Sequence, residues 1–263
     1  MLAPRHPITR RVALFSLVPA LSPALVQAQS WAVAPGPVLR VAIITSNPVL
    51  VTPHPHGPPG GVAVGLAEAL GTMLGKPLQL IPYATPAAFE ASLGSGAWDV
   101  GFAVRDPAGA ARLALSDVFM VVDQVYLARP GSSLAAAGDV DRPGVRVGVA
   151  QGSAADAFLT TTLRQAAIIR LPGGTGPARD ALAQGRVDVF GDDAPLASQV
   201  AALLPGARML EGRFTLVEMA LALPPGQAEG LPVLNDFLRV SKQRGRVERL
   251  IAASGLQGVR QTP

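Results

Sequence analysis

At 263 residues the chain is long enough for one or two domains with ample core, and 49% apolar against 15% charged residues marks it as folded rather than disordered. It has no cysteine, which excludes disulfides and thiolate metal sites. Its +4 charge owes much to Arg5, Arg10 and Arg11. Without these three, 19 of the 22 basic residues remain against 18 acidic ones, and no Lys/Arg run with aromatics appears, so no nucleic-acid partner is expected.

Residues 1–28 read as a secretory leader. Arg5, Arg10 and Arg11 give a basic start, Val12 to Val26 is apolar but broken by Pro19 and Pro23, and Val26-Gln-Ala28 is a small-x-small cleavage site. The mature chain is expected to begin at Gln29, outside the cytoplasm; Arg10-Arg11 leaves both general and twin-arginine export open. No later stretch has the length and apolarity of a membrane span.

Trp31 to Pro37 reads as a loose linker and Leu39 to Thr45 as the first strand. Asn47 to Gly61, rich in Pro, Gly and His, is a long loop, and such loops are usually functional or mobile. A helix is predicted over Val64–Leu74, stopped by Gly75 and Pro77, then a strand over Leu78–Pro82 and a helix from Pro86 to Leu93. Trp98–Val104 is mostly apolar, as a strand buried on both faces of a parallel sheet would be. A short helical turn follows over 106–111, then an apolar strand over Val121–Ala128. Beyond Arg129-Pro-Gly-Ser-Ser133 come the strand Val145–Val149, a helix from Ser153 to about Gln165, a strand over Ala167–Leu171 and the Pro177 helix. The strand Val187–Gly191, the helix Pro195–Leu204 and a strand near Ala207–Leu210 precede the long apolar strand Phe214–Leu223, and two amphipathic helices close the chain.

An internal echo organises these elements. Gly96-Ala-Trp-Asp-Val100 recurs as Gly185-Arg-Val-Asp-Val189, each after a short helix and, further back, an alternating strand. The repeat predicts two α/β lobes with a ligand cleft between them. Asp99 and Asp188, at matching positions, read as structural residues at strand starts. In Pro143 to Phe158 a strand of alternating valines runs through Gly152 into a helix that Ser153 can cap. Free N–H groups and the dipole at such a helix start favour an anion such as a carboxylate. His54 and His56 flank Pro55 with no third ligand near, and read as a solvated loop rather than a metal site. The sequence calls for no cofactor. Glu211, Arg213 and Glu218 lie near the return crossing, in the cleft or on its rim.

The order of the motifs Leu39-Arg-Val-Ala42, Gly61-Val-Ala-Val-Gly-Leu-Ala-Glu-Ala-Leu70, Trp98-Asp-Val100, Asp139 to Val149, Gly152-Ser153 and Gly185-Arg-Val-Asp188 with Asp193 resembles the bacterial extracellular solute-binding proteins of family 3, the polar-amino-acid type serving ABC importers. The resemblance implies a two-lobed, type II periplasmic-binding α/β fold with two crossing strands as hinge. It implies lobe one over residues 39–128 and 213–263, and lobe two over 129–212. The expected partners are a small polar, carboxylate-bearing solute and an ABC permease, and the expected state is a monomer.

On the same resemblance, Gly152 and Ser153 match the Gly-Thr turn that takes a ligand carboxylate, and Asp193 matches the acid that takes the amine, with Asp192 as a substitute. The family's Thr-Pro-x-Arg clamp falls on Asp106-Pro-Ala-Gly109, so glycine stands for arginine; Arg105 and Arg112 are the candidates to restore the cation. The aromatic after the first strand is Asn47 here, and the other aromatic wall falls near Pro86. The alternatives are an enzyme on the same fold, like the cyclohexadienyl dehydratases, and a sensor subunit that docks to a receptor.

Overall fold

The computed structural model describes residues 33–54 and 56–263; the expected leader and its cleavage after Ala28 lie outside the described residues. Strand β1 (Leu39–Ile44) pairs in parallel with β2 (Leu78–Tyr83), and helix α1 (Val62–Leu74) connects them. Gly61, at φ 98°, opens α1, and Gly75, at φ 64°, closes it in the left-handed region that glycine enters without a steric penalty. Helix α2 (Pro86–Ala91) starts on Thr85, whose hydroxyl accepts the Ala88 N–H at 3.2 Å. Strand β3 is shorter than predicted, Gly101–Val104. It runs antiparallel to β9 (Thr215–Leu223), and Val100 just before it makes a parallel bridge with Val41. Its apolar run therefore reflects burial between layers, which antiparallel neighbours provide as well as parallel ones.

Helix α3 (Pro107–Ala110) leads into β4, a strand of 15 residues over Ala114–Ala128. Prediction began it at Val121; its first half carries register shifts around Val118 against β9, which break the alternation. From Ala114 to Gln124 β4 pairs with β9, and from Gln124 to Ala128 with β7 (Val189–Asp193). β5 (Arg146–Ala150) stands parallel to both β7 and β6 (Ala167–Leu171). The ladder thus passes without a break from β3 through β9 and β4 to β7, β5 and β6. Helices α4 (Ala154–Thr162), α5 (Thr175–Ala183) and α6 (Ala194–Leu203) flank the parallel part, and the short strand β8 (Arg208–Met209) edges β4. The chain closes with α7 (Leu231–Gln243), α8 (Arg246–Ser254) and a strand prediction missed, β10 (Val259–Gln261), which pairs with β4 over Met120–Val122.

The apolar cores divide at the crossing strands. One cluster gathers buried residues from 33 to 122 and from 219 to 251. A smaller cluster on the same side joins Ala42, Phe89 and Trp98. Two more, on the two faces of the parallel strands, draw their buried residues from between 125 and 210. Each lobe buries its own apolar side chains, as the resemblance implies. Val33 and Ala34, expected in a loose linker, are fully buried in the first core. Lys76 holds that segment through the Ala34 carbonyl and, at 2.6 Å, the Gly36 carbonyl.

The internal echo has a physical basis. Asp99 accepts the backbone N–H of Arg40 at 2.8 Å and its guanidinium at 2.5 Å, tying the start of β3 to β1. Asp188 does the same for Arg146, at 3.0 and 2.9 Å, tying β7 to β5.

Candidate functional site

A cavity of about 450 Å³ opens between the two groups of elements. The first lobe contributes Asn47, Val104, Val122 and Met219; the second contributes Gly152, Ser153, Asp192 and Asp193. An adjoining cavity of about 320 Å³ shares Asn47, Pro86, Gly152, Ser153 and Met219, and continues to Phe89, Phe102 and Arg112.

The strand order explains the position of the second-lobe residues. In a parallel sheet the helices start at the C-terminal edge of the strands, where ligands bind. Three helix starts meet the main cavity: α4 at Gly152-Ser153-Ala154, α5 at Gly173-Gly174 and α6 at Asp193. Two of them are already capped. Ser153 Oγ accepts the Asp156 N–H at 3.1 Å, and Asp193 Oδ1 accepts the Leu196 N–H at 2.7 Å.

The α4 start also holds a resident carboxylate. Asp156 accepts the Gly152 N–H at 3.0 Å and is clasped by Arg170 and Thr160. Burial, the largest single effect, pushes its carboxyl up, but these bonds together outweigh it and hold the group below the usual carboxylate range. Ser153 N–H donates to the Ala150 carbonyl at 3.0 Å. The donors left to this terminus are the N–H groups of Ala154 and Ala155, which lack an intrahelical acceptor by the geometry of a first turn.

The opposite character appears at the end of β7. Asp192 is 6% exposed, and burial, then the neighbouring Asp193 charge, push its carboxyl up to about 7. Burial raises Asp193 as well. Asp192 Oδ1 accepts the Asp193 N–H at 2.8 Å, while Asp192 Oδ2 is buried with no hydrogen-bond partner. Gln124, 3% exposed, sits opposite Asp193 in the β4–β7 ladder, and its Oε1 is likewise buried without a partner. Among the described residues, no Lys, Arg or His lines this cavity.

The sequence candidates thus fall in three places. Gly152, Ser153, Asp193, its neighbour Asp192, and Asn47 line the main cavity. Asn47 also shapes its own turn, accepting the Val49 N–H at 3.0 Å. Arg112 lines the adjoining cavity, where it pairs with Glu90 at 3.1 Å. Arg105 lines neither; its guanidinium donates to the Ser116 carbonyl at 2.6 Å. At Gly109 a Cβ would stand 2.7 Å from the Val104 carbonyl oxygen, so this backbone has no room for the clamp arginine. Arg213 lies 3.6 Å from Asp123, and neither it nor Glu211 or Glu218 lines the cavity. His54 folds back within its loop, Nδ1 lying 2.9 Å from the Pro58 carbonyl oxygen. Sequence reasoning passed over Gln124, Val217, Met219 and the Gly173-Gly174 turn. For Gln124 a signal existed, an amide that with Asp123 interrupts an apolar strand run.

This geometry, two lobes with a cavity at the strand ends, is that of the type II periplasmic-binding proteins, and solved structures match it. The putative binding component of an ABC transporter from Wolinella succinogenes, complexed with lysine, is 20% identical with a TM-score of 0.69, covering 81% of this chain and 94% of that one. A mutant of ArgBP from T. maritima is 21% identical with a TM-score of 0.68, covering 86% and 99%. The ancestral amino acid-binding protein that is a precursor of cyclohexadienyl dehydratase is 22% identical with a TM-score of 0.67, covering 82% and 94%. No protein-family model matches the chain, and no curated protein matches it.

Proposed function

We propose that this protein is an exported, non-enzymatic solute-binding protein that delivers a small amino-acid-like solute to an ABC importer. One observation carries the reading: the cavity between the lobes sets helix-start N–H donors against the buried Asp192 and the half-buried Asp193. A zwitterion satisfies both ends at once. Its carboxylate meets the Ala154 N–H group beside Ser153, and its amine meets Asp193. The apolar walls at Val104, Val122 and Met219 take the body of the solute. The names of the similar structures, an ABC-transporter component with lysine among them, support the same class.

Under this reading the lobes meet at the crossing strands, closure brings Asn47 and Ser153 together, and export removes the leader so that the mature chain starts at Gln29. The test is thermal unfolding of the exported chain, its N-terminus read by mass spectrometry, against the common L-amino acids, organic acids and amines. A binder at a hundred times its Kd raises stability by about 2.7 kcal/mol. Asp193→Asn is expected to lower the affinity for that binder about tenfold or more, by loss of a charge-assisted hydrogen bond. A screen in which only dicarboxylic or neutral compounds bind overturns the zwitterion reading.

A second reading, a dehydratase on this fold, draws on Asp192: a buried carboxyl raised to about 7 is suited to acid–base work. Turnover of cyclohexadienyl acids into aromatic products separates it from transport.

A further inference from the structure

The adjoining cavity of about 320 Å³ is a chamber between α2, α3 and the start of α4. Its wall is mostly apolar. Ile44, Leu93 and Leu113 pack on the small cluster of Ala42, Phe89 and Trp98, yet all three stay half-buried. All three line the chamber, with Phe102 and Val104 beside them. The cluster is thus a core left open on one side, with apolar surface that faces the chamber. Covering such surface is favourable in proportion to its area. The polar groups around the chamber are already engaged. Arg112 pairs with Glu90 at 3.1 Å, and Asp106 accepts the Gly109 N–H at 2.6 Å. Asn47 and Ser153 accept the N–H groups of Val49 and Asp156. Among the described residues, no buried polar side-chain atom without a partner belongs to a residue that lines the chamber.

We infer that this chamber is a subsite for a bulky apolar side arm, so that the solute is an amino acid with an aromatic or large aliphatic side chain rather than a charged or hydroxylated one. Ala154, whose N–H is offered to the carboxylate, lines both cavities, as do Val104 and Met219. An arm leaving a solute anchored at Ala154 therefore turns into the chamber without leaving the cleft. The size agrees. An apolar cavity of about 150 Å³ accepts a benzene ring, and this one is larger. A charged or hydroxylated arm would give up water and meet polar groups already paired with one another, a cost with no return. The inference rests on the solute-binding reading and supplies the side-chain class which that reading leaves open.

The experiment is calorimetric titration of wild type, Ala157→Phe and Leu113→Ala with L-phenylalanine, L-leucine, L-alanine, L-serine and L-lysine. Ala157 is an exposed residue of α4 on the chamber wall, so a ring placed there fills the space without disturbing a core. Leu113→Ala instead strips part of the wall and adds no bulk. Wild type is expected to bind phenylalanine or leucine at least about tenfold more tightly than alanine, serine or lysine, the advantage of burying a large apolar side chain. Ala157→Phe should erase that advantage, and Leu113→Ala should reduce it several-fold while leaving alanine binding as it was. A merely structural loss would weaken alanine as much as phenylalanine. Serine or lysine bound by wild type as tightly as phenylalanine and leucine overturns the inference and leaves the solute-binding reading standing. So does phenylalanine bound by both variants as by wild type, or a loss in both variants that is equal for phenylalanine and alanine. Binding of no amino acid at all overturns both.

Discussion

At the scale of single residues, the end of β7 adds a component to the pH response of the unliganded protein, opposite in sign to that of the lowered carboxyls of Asp156 and Asp188. Asp192 has a folded-state pKa of about 7 against an ordinary 3.8. The folded state therefore holds a proton that the unfolded state has lost, and stability falls as pH rises between these values. The contribution is fully present below about pH 4 and gone above about pH 7. It amounts to on the order of 2–4 kcal/mol for a group this buried. Asp193, also raised, acts in the same direction. Urea unfolding at pH 4.5 and pH 7.5 should show this loss in wild type and much less of it in Asp192→Asn. Equal slopes in the two proteins would mean that Asp192 ionises freely in the fold. The site itself was only half legible. Ser153 and Asp193 sit where capping residues in a strand–turn–helix pattern put them, because that pattern is local. The fates of Arg105, Arg112 and Gly109 depend on Ser116, Glu90 and the Val104 carbonyl, partners that no local spacing specifies.

At the scale of elements, the repeated Arg–Asp clasp does the same work twice with unequal exposure. Asp99 is 2% exposed with Arg40 at 34%, whereas Asp188 is 18% exposed with Arg146 at 41%. Removing a carboxylate from the drier site leaves a less hydrated guanidinium and a strand N–H without an acceptor. Asp99→Ala should cost about 3 kcal/mol in urea unfolding. Asp188→Ala, whose guanidinium partners reach solvent, should cost about 1 kcal/mol. Matching losses would show that burial does not distinguish the copies. Most elements were legible because their apolar period and caps agree: α1, α2, α4 and β5 start or end within two residues of expectation. The failures share a cause. The first half of β4 is bulged, β10 is too short to show a period, and the direction of β3 is set by β9, more than a hundred residues away. Direction and pairing are tertiary facts that period alone does not carry.

At the scale of the whole molecule, the crossing is braced from behind. Asp123 of β4 accepts Arg260 of β10 at 2.7 Å, and its N–H donates to the Gly258 carbonyl at 2.8 Å. Gly258, at φ 69°, lies so near α6 that a Cβ there would come within 2.4 Å of the Ala194 Cβ. Ala194 follows Asp193, so this contact fixes the start of α6 where the cavity needs it. Gly258→Ala should lower stability by about 1–3 kcal/mol and, under the proposed function, weaken binding of the solute several-fold. Gly255→Ala, at φ 65° with open space around it, carries the same backbone strain without the clash and should lose stability alone. If both variants bind as wild type does, the contact has no hold on the site.

The division of the cores along the chain has a consequence for biosynthesis. The second lobe's apolar clusters are drawn from one unbroken stretch between residues 125 and 210, while the first needs both 33–122 and segments beyond 218. When the chain is delivered N-terminus first, from a ribosome or an export channel, the lobe begun later can be finished earlier. The lobe begun first must wait, its sheet open along β3, until β9 arrives to cover that edge. During that interval the exposed edge invites pairing with other chains, which makes the stretch from β1 to β3 the part of the nascent protein most in need of a chaperone.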